Sequence, residues 1–259
     1  MRLRDDVVLV TGAGRGIGRA IALRCASEGA RLVLAGRSLA PLEEVAGEVR
    51  AAGAEALVVS ADVRDAGSTA AMAGRALEEF GRVDVLVANS GIAGPTAPLW
   101  EVSPEEWEET HAVNVRGVFL SCRAVLPSMI ERRSGAVVVV GSMSGKRPLA
   151  KRTAYASSKT ALIGLTRSLA WETGPFGVRV NLISPGPVSG LRLDAVQSAQ
   201  AELSGRPVAE VRAEHLRNSP LHRLVSPEQV ADTVVFLSCA ESAAVSGEDL
   251  NVSAGATMY

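Results

Sequence analysis

The sequence predicts an α/β fold, a doubly wound parallel sheet of about seven strands with helices on both faces, on three observations. Short β-branched runs alternate with longer segments of helical period along the 259 residues. Several runs are apolar without polar alternation, as strands covered on both faces are. A glycine-rich turn joins the first run directly to the first helical segment.

In chain order the strands are expected at Val7–Val10, Arg31–Ala35, Ala56–Ser60, Val83–Ala88, Ala136–Val140 and Val178–Ile183, with a last strand in the terminal segment Gly247–Tyr259. The helices between them are expected at Gly16–Gly29, Pro41–Ala52, Ala66–Phe80, Pro104–Arg132, Ala154–Thr173 and Pro227–Ala240. Ser103 before Pro104, with Glu106 three residues after the serine, makes a capping box with proline at the first helical position. At the other end of that helix, Arg132 and Arg133 place cations against the negative end of the dipole. The polar, arginine-rich stretch from Ser189 to Arg223 interrupts the alternation and reads as a lid over a single domain spanning 1–259.

Apolar residues make up 47% of the chain and charged ones 21%, which fits a globular domain and leaves little room for disorder. A formal net charge of −1 gives no electrostatic footprint for nucleic acid or anionic lipid. No apolar run reaches the ~18 uninterrupted residues of a membrane span, and Met1 to Asp6 is too short and polar for a signal peptide, so a cytoplasmic protein is expected. Cys25, Cys122 and Cys239 form no Cys-x-x-Cys pair and are expected as small buried apolar residues. His111, His215 and His222 have no metal-ligand spacing, so no metal is expected.

The first strand runs into Thr11-Gly12-Ala13-Gly14-Arg15-Gly16-Ile17-Gly18 and then into a helix. Glycines there let the backbone approach a pyrophosphate, and the helix N-terminus offers N–H groups and a partial positive charge. The chain has two tyrosines and three lysines, and one of each stands four apart in Tyr155-Ala156-Ser157-Ser158-Lys159, on one face of a helix. Carbonyl reduction puts negative charge on oxygen as hydride reaches carbon, so a positioned acid must supply a proton. Free tyrosine, with a pKa near ~10, holds its proton at neutral pH, and a neighbouring ammonium such as Lys159 favours the phenolate needed for the reverse reaction.

The Thr-Gly-x-x-x-Gly-x-Gly turn, the Tyr-x-x-x-Lys pair and Ser142 thirteen residues before the tyrosine resemble the short-chain dehydrogenase/reductase family, from Leu3 to the final Asn251 segment. The resemblance implies a Rossmann-like fold and a ketone–alcohol oxidoreductase in which Tyr155 is the general acid/base. It further implies that Ser142 stabilises the oxyanion, that Lys159 serves both the tyrosine and the nicotinamide ribose, and that Asn114 holds a water relaying protons to Lys159. It places Gly12, Gly14, Arg15, Gly16, Ile17 and Gly18 at the cofactor, with Asp62 and Val63 at the adenine and Asn89 and Gly91 in the turn after the fourth strand. Tyr155, Lys159, Pro185, Gly186 and Val188 complete the cofactor set. Ala88 and Ser90 depart from the family's Asn-Asn-Ala-Gly, and Gly190 stands where many relatives carry a threonine.

At the end of the second strand, where NAD-binding folds usually carry an acid for the ribose hydroxyls, this chain has Gly36 followed by Arg37. A guanidinium there suits a 2′-phosphate, and Arg15 can reach the same group, so the expected cofactor is NADP(H). Lys146, Arg147, Lys151 and Arg152, with Arg192 at the lid, crowd the edge of the expected site and favour an anionic substrate touched by Ser144, Arg147, Arg152 and Arg192. A 3-oxoacyl-carrier-protein reductase is the alternative enzyme, with Arg132 and Arg133 as a carrier-docking charge. A non-catalytic NADP-binding sensor or scaffold is the alternative of another class, although Tyr155 and Lys159 are intact. The resemblance also implies a homotetramer, pairing Pro104–Arg132 and Ala154–Thr173 through surplus apolar residues Val113, Val118, Leu120, Leu162, Leu165 and Leu169.

Overall fold

In the computed structural model, which describes residues 1–259, the apolar runs become the seven parallel strands of one sheet. They are β1 (Val7–Thr11), β2 (Arg31–Gly36), β3 (Ala56–Ser60), β4 (Val85–Ala88), β5 (Gly135–Val140), β6 (Val178–Pro185) and β7 (Asp249–Val252), in the order β3-β2-β1-β4-β5-β6-β7. The order reverses at β1, which pairs with β2 on one side and β4 on the other. In doubly wound sheets such a switch point opens a crevice beyond the strands' carboxyl ends.

The strands lack polar alternation because both faces are covered. Val8, Val10, Leu32 and Leu34 pack under α1 (Gly16–Ser27), α2 (Leu39–Ala51) and α9 (Pro227–Ser238). Val7, Leu9, Val33 and Leu86 pack under α3 (Ala66–Phe80), α5 (Gly117–Arg132) and α6 (Thr153–Thr173). At roughly 1.5–3 kcal/mol for each fully buried Val or Leu side chain, these two layers are the main source of stability. The three cysteines are buried within the same layers, and burial pushes the Cys25 and Cys122 thiols up to about 12.

Element ends differ from the sequence pattern for local reasons. The fourth strand begins at Val85 because Asp84 turns its carboxylate onto the Val7 N–H (2.8 Å) and the Arg82 guanidinium (2.8 Å). The second helix begins before Pro41, which the first turn tolerates because an N–H there has no helical acceptor. The Ser103 capping box forms as expected, and Ser226 with Gln229 makes a second one at α9.

The expected helix Pro104–Arg132 is interrupted. It consists of α4 (Pro104–His111), a π-helical turn over Ala112–Arg116, and α5, which carries Pro127 within it. By length and composition this 29-residue stretch could cross a membrane, yet here it packs against α3, α6 and the sheet. It stops through the left-handed backbone of Arg133 (φ 55°). Arg132 is not a free docking charge, since it donates to Val83 O (2.7 Å) and pairs with Asp84, whereas Arg133 is exposed and donates only to Pro175 O (2.8 Å).

The surplus apolar face expected on these helices lies elsewhere. Val113, Val118, Leu120 and Leu162 are buried within the chain itself, because α5 and α6 are covered by neighbours on more than their sheet-facing side. Leu165 and Leu169 are half-buried against the same core, whereas Phe119 and Trp171 are the large side chains left exposed. The stretch after β6 forms α7 (Leu191–Ser204) and α8 (Val208–Arg217).

Candidate active site

Thr11, the last residue of β1, splices the glycine turn to the end of β4. Its hydroxyl oxygen accepts from the Asn89 and Ser90 N–H groups (both 3.0 Å), and Asn89 Nδ2 donates to Thr11 O (2.8 Å) and Gly12 O (3.2 Å). Asn89 thus buttresses the turn. A Cβ on Gly18 would lie 2.1 Å from the Gly12 carbonyl oxygen, so only glycine lets α1 start this close to the strand. No side chain caps α1, which leaves its first N–H groups and positive dipole end available to an anion. A backbone cradle with no room for a Cβ at Gly18, at an uncapped helix N-terminus, fits a dinucleotide pyrophosphate.

The cradle lies in a cavity of about 1250 Å³ lined by Gly12, Gly14, Arg15, Gly16, Ile17 and Gly18. Arg37, Asp62, Val63, Asn89 and Gly91 line it too, as do Pro185, Gly186, Val188 and Gly190. Gly186 is required by its neighbour, since a Cβ there would come within 2.8 Å of Ser253 Cα. Gly36 is under no such constraint: a Cβ would meet Leu42 at an ordinary 3.6 Å. The Asp62 carboxyl is held down to about 2, chiefly by its hydrogen bonds to the Arg64 guanidinium, which also grips Glu109.

Ser142, Tyr155 and Lys159 line the same cavity. Ser142 follows β5 by two residues, and its Oγ accepts from the Ser144 N–H (3.1 Å), leaving its own proton for an outside acceptor. Tyr155 and Lys159 are one turn apart on α6. The Lys159 Nζ donates to Val140 O (2.8 Å) at the end of β5 and lies 5.9 Å from the centre of the Tyr155 ring. Burial, and secondarily the Arg192 charge, pushes that ammonium down to about 7.

Asn114 is placed behind the cavity, in the π-helical turn, and is fully buried. Its Oδ1 accepts from Ile92 N (2.8 Å), and its Nδ2 donates to Ile92 O (3.0 Å) and Ser158 Oγ (3.0 Å). Ser158 in turn donates to Tyr155 O (2.7 Å), so the side chain ties α6 to the segment after β4.

Of the basic residues expected at the site's edge, Ser144's neighbours divide. Arg147, Lys151, Arg152 and Arg192 line the cavity with Ser144, but Lys146 does not. Lys146 turns away to a buried pair with Asp249 (3.1 Å) and a bond to Asn251 Oδ1 (2.9 Å), because β7 places that acid beside it. Arg152 is buried and donates to Ala93 O (2.7 Å), with its guanidinium carbon 5.0 Å from the centre of the Tyr155 ring. Arg192 donates to Gly91 O (2.7 Å) across the cavity.

Sequence reasoning missed the Ser158 link, which no local signal could give, and the apolar wall contributed by α7. Leu193, Val196 and Leu203 line the cavity from α7, a helix with almost no amphipathic pattern along the chain to mark them.

The family described as enoyl-(acyl carrier protein) reductase matches residues 12–257. Among curated relatives, 2,3-dihydro-2,3-dihydroxybenzoate dehydrogenase of Bacillus subtilis is 35% identical, covering 99% of this chain and 97% of the relative. Cis-4-hydroxycyclohexanecarboxylate dehydrogenase of Sinomonas cyclohexanicum is 38% identical, covering 98% and 97%. Among solved structures, NAD+-bound xylitol dehydrogenase superposes with a TM-score of 0.96 at 30% identity, covering 98% of this chain and 100% of the other. An actinorhodin polyketide ketoreductase variant with NADPH superposes with a TM-score of 0.94 at 33% identity, covering 98% of each chain.

Proposed function

The chain belongs to the short-chain dehydrogenase/reductase family and is an oxidoreductase, and from that premise we propose that it interconverts a ketone and a secondary alcohol with NADP(H). The observation that carries this reading is the convergence of Ser142, Tyr155 and Lys159 on the cavity that holds the glycine cradle.

A nicotinamide dinucleotide held by the glycine cradle at Gly12–Gly18 would supply or accept the hydride. Tyr155 gives its hydroxyl proton to the carbonyl oxygen in reduction and takes it back in oxidation. Ser142, whose Oγ already accepts from Ser144, donates its proton to the oxygen on which charge develops. Lys159 holds a positive charge beside the tyrosine, and Asn114 positions α6 through Ser158. The water relay implied by resemblance would have to coexist with the bonds that the Asn114 amide already makes.

NADP(H) is favoured over NAD(H) by Arg15 and Arg37 on the cavity wall and by the absence of an acid at Gly36. Asp62, the nearest acid in the cavity, is engaged by Arg64. Solved relatives carry NAD+ in one case and NADPH in the other, so the discrimination rests on these residues. Two relatives are named for a benzoate and a cyclohexanecarboxylate, which supports an anionic substrate here. The carrier-protein alternative loses one of its docking charges, since Arg132 is paired internally with Asp84.

The test is NADPH oxidation against a panel of cyclic and linear ketones, with NADP+ reduction against the matching alcohols. Turnover should appear with NADPH and fall at least ~100-fold in Tyr155→Phe, with NADPH affinity nearly unchanged. Retained turnover in that variant removes the tyrosine from the reaction.

A further inference from the structure

A buried guanidinium normally has a carboxylate partner, because an isolated charge is costly to keep away from water. Arg152 has none. Only 3% of it is exposed, its Nη2 has one neutral acceptor, Ala93 O at 2.7 Å, and its buried Nε has no partner at all. The cost of this desolvation shows in the guanidinium's lowered pKa, opposed only by the neighbouring Tyr155 and worsened by Arg192. Of the other deeply placed cations on this side of the molecule, Lys146 is paired with Asp249, whereas Lys159 has only the Val140 carbonyl oxygen.

The cavity around Arg152 holds no free acid. Its two carboxylate residues are Asp62, committed to Arg64, and Glu214, committed to Arg206 (2.8 Å). Near the tyrosine the wall is instead cationic, and the Arg192 charge pushes both Arg152 and Lys159 down. Arg192 is exposed and bonded only to the Gly91 carbonyl, a neutral contact that an anion could replace.

We propose that Arg152, assisted by Arg192, is the receptor for a carboxylate on the substrate, which brings the missing counter-charge with it. The planar fork of an arginine matches a carboxylate through two parallel N–H···O bonds, and Arg152 lines the cavity that Tyr155 also lines. Arg152 is the N-cap residue of α6, three residues before Tyr155, with its guanidinium over the phenol ring. A compact acid anchored there is held with its ketone close to the proton donor. The substrate class is therefore a small keto acid or hydroxy acid. This rests on the ketone–alcohol reading above.

The experiment compares 4-oxocyclohexanecarboxylate with its uncharged methyl ester under NADPH, in the wild type, Arg152→Met, Arg152→Lys and Arg192→Ala. A charge-assisted pair makes the acid the better substrate by about tenfold to a hundredfold in kcat/KM. In Arg152→Met the ratio of acid to ester kcat/KM falls to about one, whatever the absolute rates, and Arg152→Lys, which keeps charge without the fork, falls between. If acid and ester fall together, Arg152 serves Tyr155 or the fold, and the receptor is overturned. A wild type that prefers the ester overturns it as well. Arg192→Ala, at an exposed position, should weaken the acid preference and provides the test should Arg152→Met not fold. Calorimetric binding of cyclohexanecarboxylate and of its carboxamide reads the receptor without turnover. Arg152-dependent binding of the acid in a chain that reduces neither ketone would sustain the receptor and sink the reductase reading. Reduction of the ester with no selective binding of the acid would do the reverse.

Discussion

Lys159 is a buried charge that the proposed chemistry uses and that folding penalises. Its ammonium is pushed down to about 7 in the folded chain, against 10.5 for an exposed lysine. Between those values the unfolded state binds the extra proton, so raising the pH stabilises the native state by up to about 1.4 kcal/mol per pH unit. Below about 7 the amine is protonated in both states and the penalty is constant. Lys159→Met should therefore be more stable than the wild type at pH 7, and its advantage should shrink as the pH rises toward 10. Thermal denaturation of the two proteins across pH 6–10 reads the difference directly. A constant gap would mean that the ammonium is not desolvated in the native chain.

Gly36 carries a second prediction at this scale. A Cβ fits there, with Leu42 at 3.6 Å, so the glycine is not imposed by packing. Gly36→Asp should place an acid against the 2′-phosphate and cost about 2–4 kcal/mol, tens- to hundreds-fold, in NADPH preference. The kcat/KM ratio for NADPH over NADH measures it. An unchanged ratio would assign discrimination to groups other than this strand end.

At the scale of elements, the π-helical turn between α4 and α5 turns Asn114 onto the Ile92 backbone. Such turns often mark functional sites in otherwise regular helices. Asn114→Ala would leave the Ile92 N–H and C=O without that partner, at about 1–3 kcal/mol for each group left buried and unpaired. It would also release Ser158 and with it the seat of Tyr155. We expect a lower melting temperature together with a lower kcat. Loss of stability with kcat intact would limit Asn114 to a packing role.

At the scale of the whole molecule, the resemblance to tetrameric relatives remains a proposal, carried by different residues from those the helical pattern picked out. Phe119 is 49% exposed and Trp171 88% exposed, large apolar surfaces on the outer sides of α5 and α6. The sheet ends at β7, whose free edge is available to a second copy. Light scattering at micromolar concentration should give a mass near four chains, and Trp171→Glu should reduce it. A fully active monomer would refute this.

By itself the sequence determined what is local in chain order: the strand–turn–helix unit from Val7 through Ser27, the capped start at Ser103, and Tyr155 and Lys159 on one helical face. Those features are set by backbone periodicity and by contacts a few residues apart, so their signal lies in consecutive residues. Composition told nothing about which cation is satisfied. Lys146 and Arg152 looked alike in one basic stretch, and only the fold separated them, bringing Asp249 and Asn251, 105 residues beyond Lys146 for the latter, to one and no acid to the other. The same holds for Val113 and Leu162, whose burial depends on neighbours α5 and α6 acquire only on packing. A charge's partner and an apolar side chain's cover are properties of distance in space, and no period along the chain encodes that distance.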